Sequence, residues 1–132
     1  MADWEQVRRL ALELPETSER LSRGSVQWRV CDKLFVWERP LHRTDVRALG
    51  EDAPRGEILA ARVEHELAKQ ALLADDPEVF FTIPHFDGYP AILARLERLG
   101  PEDLTELVVE AWLARAPPRL AQGYIDTQLR SE

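Results

Sequence analysis

A chain of 132 residues that is 45% apolar and 31% charged can bury one core without covalent staples, and its balance is that of a single globular domain. A formal charge of −7 opposes indiscriminate nucleic-acid binding, and one cysteine, Cys31, excludes an internal disulfide and suits a reducing compartment. No apolar run approaches the roughly 18 residues of a membrane helix, and the opening Met-Ala-Asp-Trp-Glu lacks the basic and apolar stretches of a secretory leader. The expectation is one cytoplasmic domain over residues 1–132, without membrane contact.

Asp3, with Gln6 three residues on, forms a capping box, and Trp4, Val7, Ala11 and Leu14 recur at helical spacing until Pro15. Residues 16–24 read as a polar connection. Val26, Trp28 and Val30 alternate with Gln27 and Arg29 as a half-buried strand. A turn at Cys31-Asp32-Lys33 leads to Leu34-Phe35-Val36-Trp37, a hairpin partner apolar on both faces and so expected to be covered on both. Residues 41–56 form the longest irregular stretch, a length that marks a functional or mobile connection.

Ile58 to Val63 reads as a third strand, and Glu64 to Ala74 as a helix closed by Asp75-Asp76-Pro77. Val79–Ile83 and Ala91–Leu96 read as two more strands. Pro101 opens the strongest helix, with Leu104, Leu107, Val108, Ala111 and Trp112 on one stripe and Pro117-Pro118 as its stop. Residues 117–132 hold a short terminal helix or a tail. The order α-β(3)-α-β(2)-α predicts an α+β fold with a mainly antiparallel sheet and helices on one face.

Between the last two strands, residues 84–90 join two prolines and Gly88 to His85, Phe86, Asp87 and Tyr89. The first group makes the turn; the second is not needed for it and marks a binding loop. His85 and Asp87 are too few to hold a metal, and Cys31 lies beside Asp32, whose charge opposes a thiolate. No nucleotide, hydrolase or dinucleotide fingerprint is present, so no cofactor and no catalytic residue is assigned. Trp4, Trp28, Trp37 and Trp112 fall on apolar periodic faces and read as core. Residues 20–47 hold seven cations against three carboxylates, a local +4 that leaves −11 for the rest of the chain.

The segments Leu14-Pro15-Glu16, Val30-Cys31-Asp32-Lys33-Leu34-Phe35-Val36, Ile58 to Val63, Ala71 to Thr82, the 84–90 loop and Glu110 to Pro117 together resemble the MmcQ/YjbR family of small bacterial proteins, over roughly residues 3 to 126. The resemblance implies an α-β(3)-α-β(2)-α fold related to secretion-chaperone-like and double-wing folds. It carries a DNA-binding label but no established catalytic residues. Many relatives place lysines and arginines before the last strand where this chain has His85-Phe86-Asp87-Gly88-Tyr89-Pro90.

Two functions follow as expectations. The first is a non-enzymatic binding domain that engages a protein partner or small ligand through the 84–90 and 41–56 loops, with His85, Phe86, Asp87 and Tyr89 lining the site. The second is DNA binding through the basic region 20–47, with Arg23, Arg29, Lys33, Arg39 and Arg43 on phosphates.

Overall fold

The computed structural model describes residues 2–131. Helix α1 (Trp4–Glu13) opens on the expected capping box: the Gln6 amide donates to Asp3 Oδ1 at 2.9 Å, and the Asp3 amide donates to Gln6 Oε1 at 3.0 Å. Val7 and Ala11 on its inner face are fully buried.

Strands β1 (Thr17–Ser22), β2 (Ser25–Val30) and β3 (Lys33–Glu38) form a meander. The stretch expected to be a polar connection is therefore an edge strand. Its side chains face mostly water, so no apolar alternation marks it. It is fixed instead by backbone pairing to β2 in unbroken register from Thr17↔Val30 to Ser22↔Ser25. The turn between them, Arg23-Gly24, has φ of 52° and 84°, the double left-handed pair that matches strand twist. Cys31-Asp32 makes the second hairpin turn with φ of 48° and 66°. A bulge at Trp28/Arg29 puts Phe35 and Val36 into the same core.

The long irregular stretch contains a short helix, α2 (Arg43–Leu49), too short to show a helical period. Asp45 anchors it, accepting from the His42 amide at 2.9 Å. Strand β4 (Ile58–Arg62) is central and buried on both faces. Helix α3 (Glu66–Asp75) starts two residues later than its composition suggested, because His65 caps it through Nδ1, which accepts from the Ala68 amide at 3.1 Å. Strand β5 is only Phe80–Phe81, followed by a 3₁₀ turn at Pro84–Phe86 and strand β6 (Ala91–Arg95). Helices α4 (Pro101–Arg115) and α5 (Pro118–Ser131) close the described chain, α5 longer than expected.

The sheet order is β1-β2-β3-β4-β6-β5, antiparallel throughout. The α+β class follows directly. On one face α1 and α4 bury Trp28, Phe35, Val36, Leu59 and Ile92 against Leu104, Val108 and Trp112. Trp4 stacks on Trp28 at 6.3 Å, and Trp112 donates through Nε1 to the Pro15 carbonyl at 3.0 Å. The opposite face carries a second core: Trp37, Ile58, Ala60, Phe81 and Leu93 under Phe86, with Leu41, Leu49 and Tyr89 around it. This covers the outer face of β3, as its apolar sequence required. Among the described residues no helix is long and apolar enough to cross a membrane.

Candidate functional site

The 84–90 loop is built by its own backbone. The Phe86, Asp87 and Tyr89 amides donate to the carbonyls of Ile83, Pro84 and Phe86 at 2.9 to 3.0 Å, and Gly88 takes φ of 75°. This folds Phe86 inward. Its ring is 3% exposed, 6.3 Å from Trp37 and 5.4 Å from Tyr89. Phe86 is thus a core residue, correcting its expected place in a binding surface; an apolar ring over a vacant sheet face gains more by burial than by exposure. The 41–56 and 84–90 loops do meet, through Leu41, Leu49, Phe86 and Tyr89, but they fill the space between them. His85 and Asp87 remain exposed on the loop, and Tyr89 is half-buried.

Cations tie this loop down. Lys69, on the inner side of α3 and 1% exposed, donates from Nζ to the carbonyls of Phe86 at 2.6 Å and Tyr89 at 3.1 Å. Arg62, at the end of β4, donates from Nε to the Pro90 carbonyl at 3.0 Å and from Nη1 to the Tyr89 hydroxyl at 3.4 Å. Its guanidinium lies 4.7 Å from the centre of the Tyr89 ring.

Arg115, in the last turn of α4, stands near Arg62 and Tyr89. Its pKa is lowered, first by burial and second by the Arg62 charge, while Tyr89 acts in the opposite sense. Its Nε is buried without a hydrogen-bond partner. Among the described residues neither Arg62 nor Arg115 is ion-paired to a carboxylate. Two forked guanidinium groups without an ion-pair partner, Arg62 lying over a phenol ring, form a pattern suited to a carboxylate or phosphate.

The five residues expected on a nucleic-acid face do not come together as one surface. Arg39 is buried and ion-paired to Asp45 at 3.2 Å, and also donates to the Pro40 carbonyl, so it is unavailable to a ligand. Burial is imposed by its place over the second core, with the guanidinium 5.7 Å from the Phe86 ring. Arg29 is half-buried and donates to Gln27 Oε1 and the Asp32 carbonyl. Arg23 and Lys33 are exposed at opposite ends of the hairpins, and Arg43 is exposed on α2. Between them Asp32 pairs with Arg20 at 3.0 Å, breaking the positive run.

Arg62, Lys69 and Arg115 were not singled out by sequence. A signal existed for the first two. Arg62 shares a strand face with Ile58 and Ala60 of the second core, and Lys69 shares the inner stripe of α3 with Leu72 and Leu73. A cation on an apolar stripe needs internal partners.

An α+β domain with a six-stranded antiparallel sheet cored on both faces, and an arginine-tyrosine cluster at one end of a loop, defines the class structurally. The YjbR family model matches residues 12–114, and the chain belongs to that family. It is similar to an uncharacterized protein of Mycobacterium bovis and to uncharacterized proteins of two Mycobacterium tuberculosis strains, each 48% identical over 128 residues, 95% of this chain and 97% of theirs. The crystal structure of Deinococcus radiodurans protein DR2400, with family-model domain DUF419, superposes with a TM-score of 0.63 at 17% identity, over 86% of this chain and 78% of that one. That likeness supports the fold.

Proposed function

We propose that this YjbR domain is a non-enzymatic binding domain that holds an anionic group, carboxylate or phosphate, at Arg62 and Arg115 beside Tyr89. The observation that carries the reading is the Arg115 guanidinium, whose Nε is buried without a partner while Arg62 lies close by without an ion-paired carboxylate. A buried donor left unpaired costs about 1–3 kcal/mol, and a ligand that accepts from it recovers that cost. The site keeps the expected loop in use through Tyr89, while Lys69 and Arg62 hold the loop's carbonyls and so fix where the phenol stands. The exposed His85 and Asp87 flank the loop and would discriminate between ligands at its rim.

DNA is one source of phosphate, and the expected basic hairpin is the second reading. The dispersed cations and the net charge of −7 favour a small anion or an acidic partner over a duplex. The test compares wild type with Arg115→Ala by thermal unfolding in chloride and in phosphate. At phosphate tenfold above its dissociation constant, wild type is expected to melt about 5 °C higher. The variant is expected to lose that response and, without anion, to be no less stable than wild type. An equal phosphate response in both proteins rejects the site. In parallel, labelled single-stranded and duplex DNA followed by anisotropy at rising salt separates the sources: log-linear weakening with a slope of several phosphates assigns the site to nucleic acid.

A further inference from the structure

We infer that a second surface, the groove between α3 and α4, docks a basic amphipathic helix of a partner protein. The groove has a volume of about 540 Å³ and an apolar floor of Val63, Ala68, Leu72, Phe80 and Leu107. Around that floor stand six carboxylates, Glu64, Asp75, Asp76, Asp103, Glu106 and Glu110, against one lining cation, Arg62. Among the described residues five of the six make no side-chain hydrogen bond or ion pair, and Glu64 has only His65 at 3.9 Å.

Leu67 lies one position from Ala68 on α3 and four from Ala71, and it is 78% exposed. Leu67 does not itself line the groove, but one turn from the lining residue Ala71 it adds exposed apolar surface on the same helix. The ten residues of α3 give a wall about 15 Å long, enough for two to three turns of a docked helix. Helix-in-groove recognition reads apolar anchors at i, i+3, i+4 and i+7, and the acidic rim selects lysine and arginine on the flanks of that stripe.

A second copy of this chain is a poor occupant on charge. The protein carries −7, and α5, which holds the exposed apolar residues Ile125 and Leu129, offers only Arg119 and Arg130 against Asp126, a net +1 to set against six carboxylates.

The test uses a fluorescein-labelled helical peptide of leucine and lysine, its leucine–glutamate counterpart with the same apolar stripe, and the intact protein. The leucine–lysine peptide is expected to bind at least about tenfold more tightly than the glutamate peptide. Ala71→Arg and Glu106→Lys, both at exposed helix positions, are each expected to weaken it about tenfold with unchanged circular dichroism. Arg62 lines both this groove and the anion site, whereas Arg115 lines only the latter, so Arg115→Ala should leave peptide affinity unchanged while removing the phosphate response. Equal binding of both peptides, or unaltered affinity in both groove variants, overturns the inference. So does a concentration-dependent dimer abolished by Ala71→Arg, which would give the groove to a second copy.

Discussion

Phe86→Ala is expected to destabilise the domain by about 3–5 kcal/mol, lowering the melting temperature by more than ~10 °C. The ring is 3% exposed and closes the second core over Trp37, Ile58 and Leu93, with Tyr89 edge-on at 5.4 Å. Truncation removes its transfer energy and leaves a cavity that Tyr89, held by Arg62, does not fill. The neighbouring His85→Ala and Asp87→Ala changes, at exposed positions, should stay within about 0.5 kcal/mol of wild type. Chemical denaturation of the three variants checks this. A Phe86→Ala protein as stable as wild type would mean that the ring faces solvent and that the loop offers it to a ligand.

Asp45→Ala has the second large effect, about 3–5 kcal/mol. The Arg39–Asp45 pair is separated by 3.2 Å, with side chains only 11% and 4% exposed, and Asp45 also accepts from the His42 amide. Removing the carboxylate strands a buried guanidinium and uncaps α2 at once. A buried pair is rarely a net source of stability, so its double replacement should recover much of the loss. Arg39→Met with Asp45→Ala is therefore expected to be more stable than Asp45→Ala alone. A cost below about 1 kcal/mol for Asp45→Ala would describe a solvated surface pair and contradict the docking of α2 on the second face.

The parts of the fold that were legible in sequence are those whose causes are local. The Asp3–Gln6 capping box, the Pro101 start of α4 and its apolar stripe, and the alternation of Val26, Trp28 and Val30 each state their structure within a few residues. Strand β1 was not legible, because Thr17–Ser22 faces water and is a strand through its pairing with β2. Helix α2 was hidden for a similar reason: seven residues cannot show a period, and the Asp45–Arg39 contact that docks it joins residues on either side of a loop.

The candidate site was half legible. Turn chemistry located the 84–90 loop and its Tyr89, but composition could not show that Phe86 turns inward. Arg62 from β4 and Arg115 from α4 are 53 positions apart in sequence, and only the packing of α4 across β3 and β4 brings them to one end of the sheet. Local charge density pointed instead to residues 20–47, where Asp32 and Asp45 neutralise part of what the count of cations suggested.

The most direct measurement of the anion site is a phosphate titration followed by NMR of the arginine Nε–Hε signals in the intact protein. The account predicts that the Arg62 and Arg115 signals shift together along one saturating curve, while those of Arg20 and Arg23 stay in place. Shifts spread evenly over the exposed arginines, or an Arg115 signal unmoved at saturation, would contradict it.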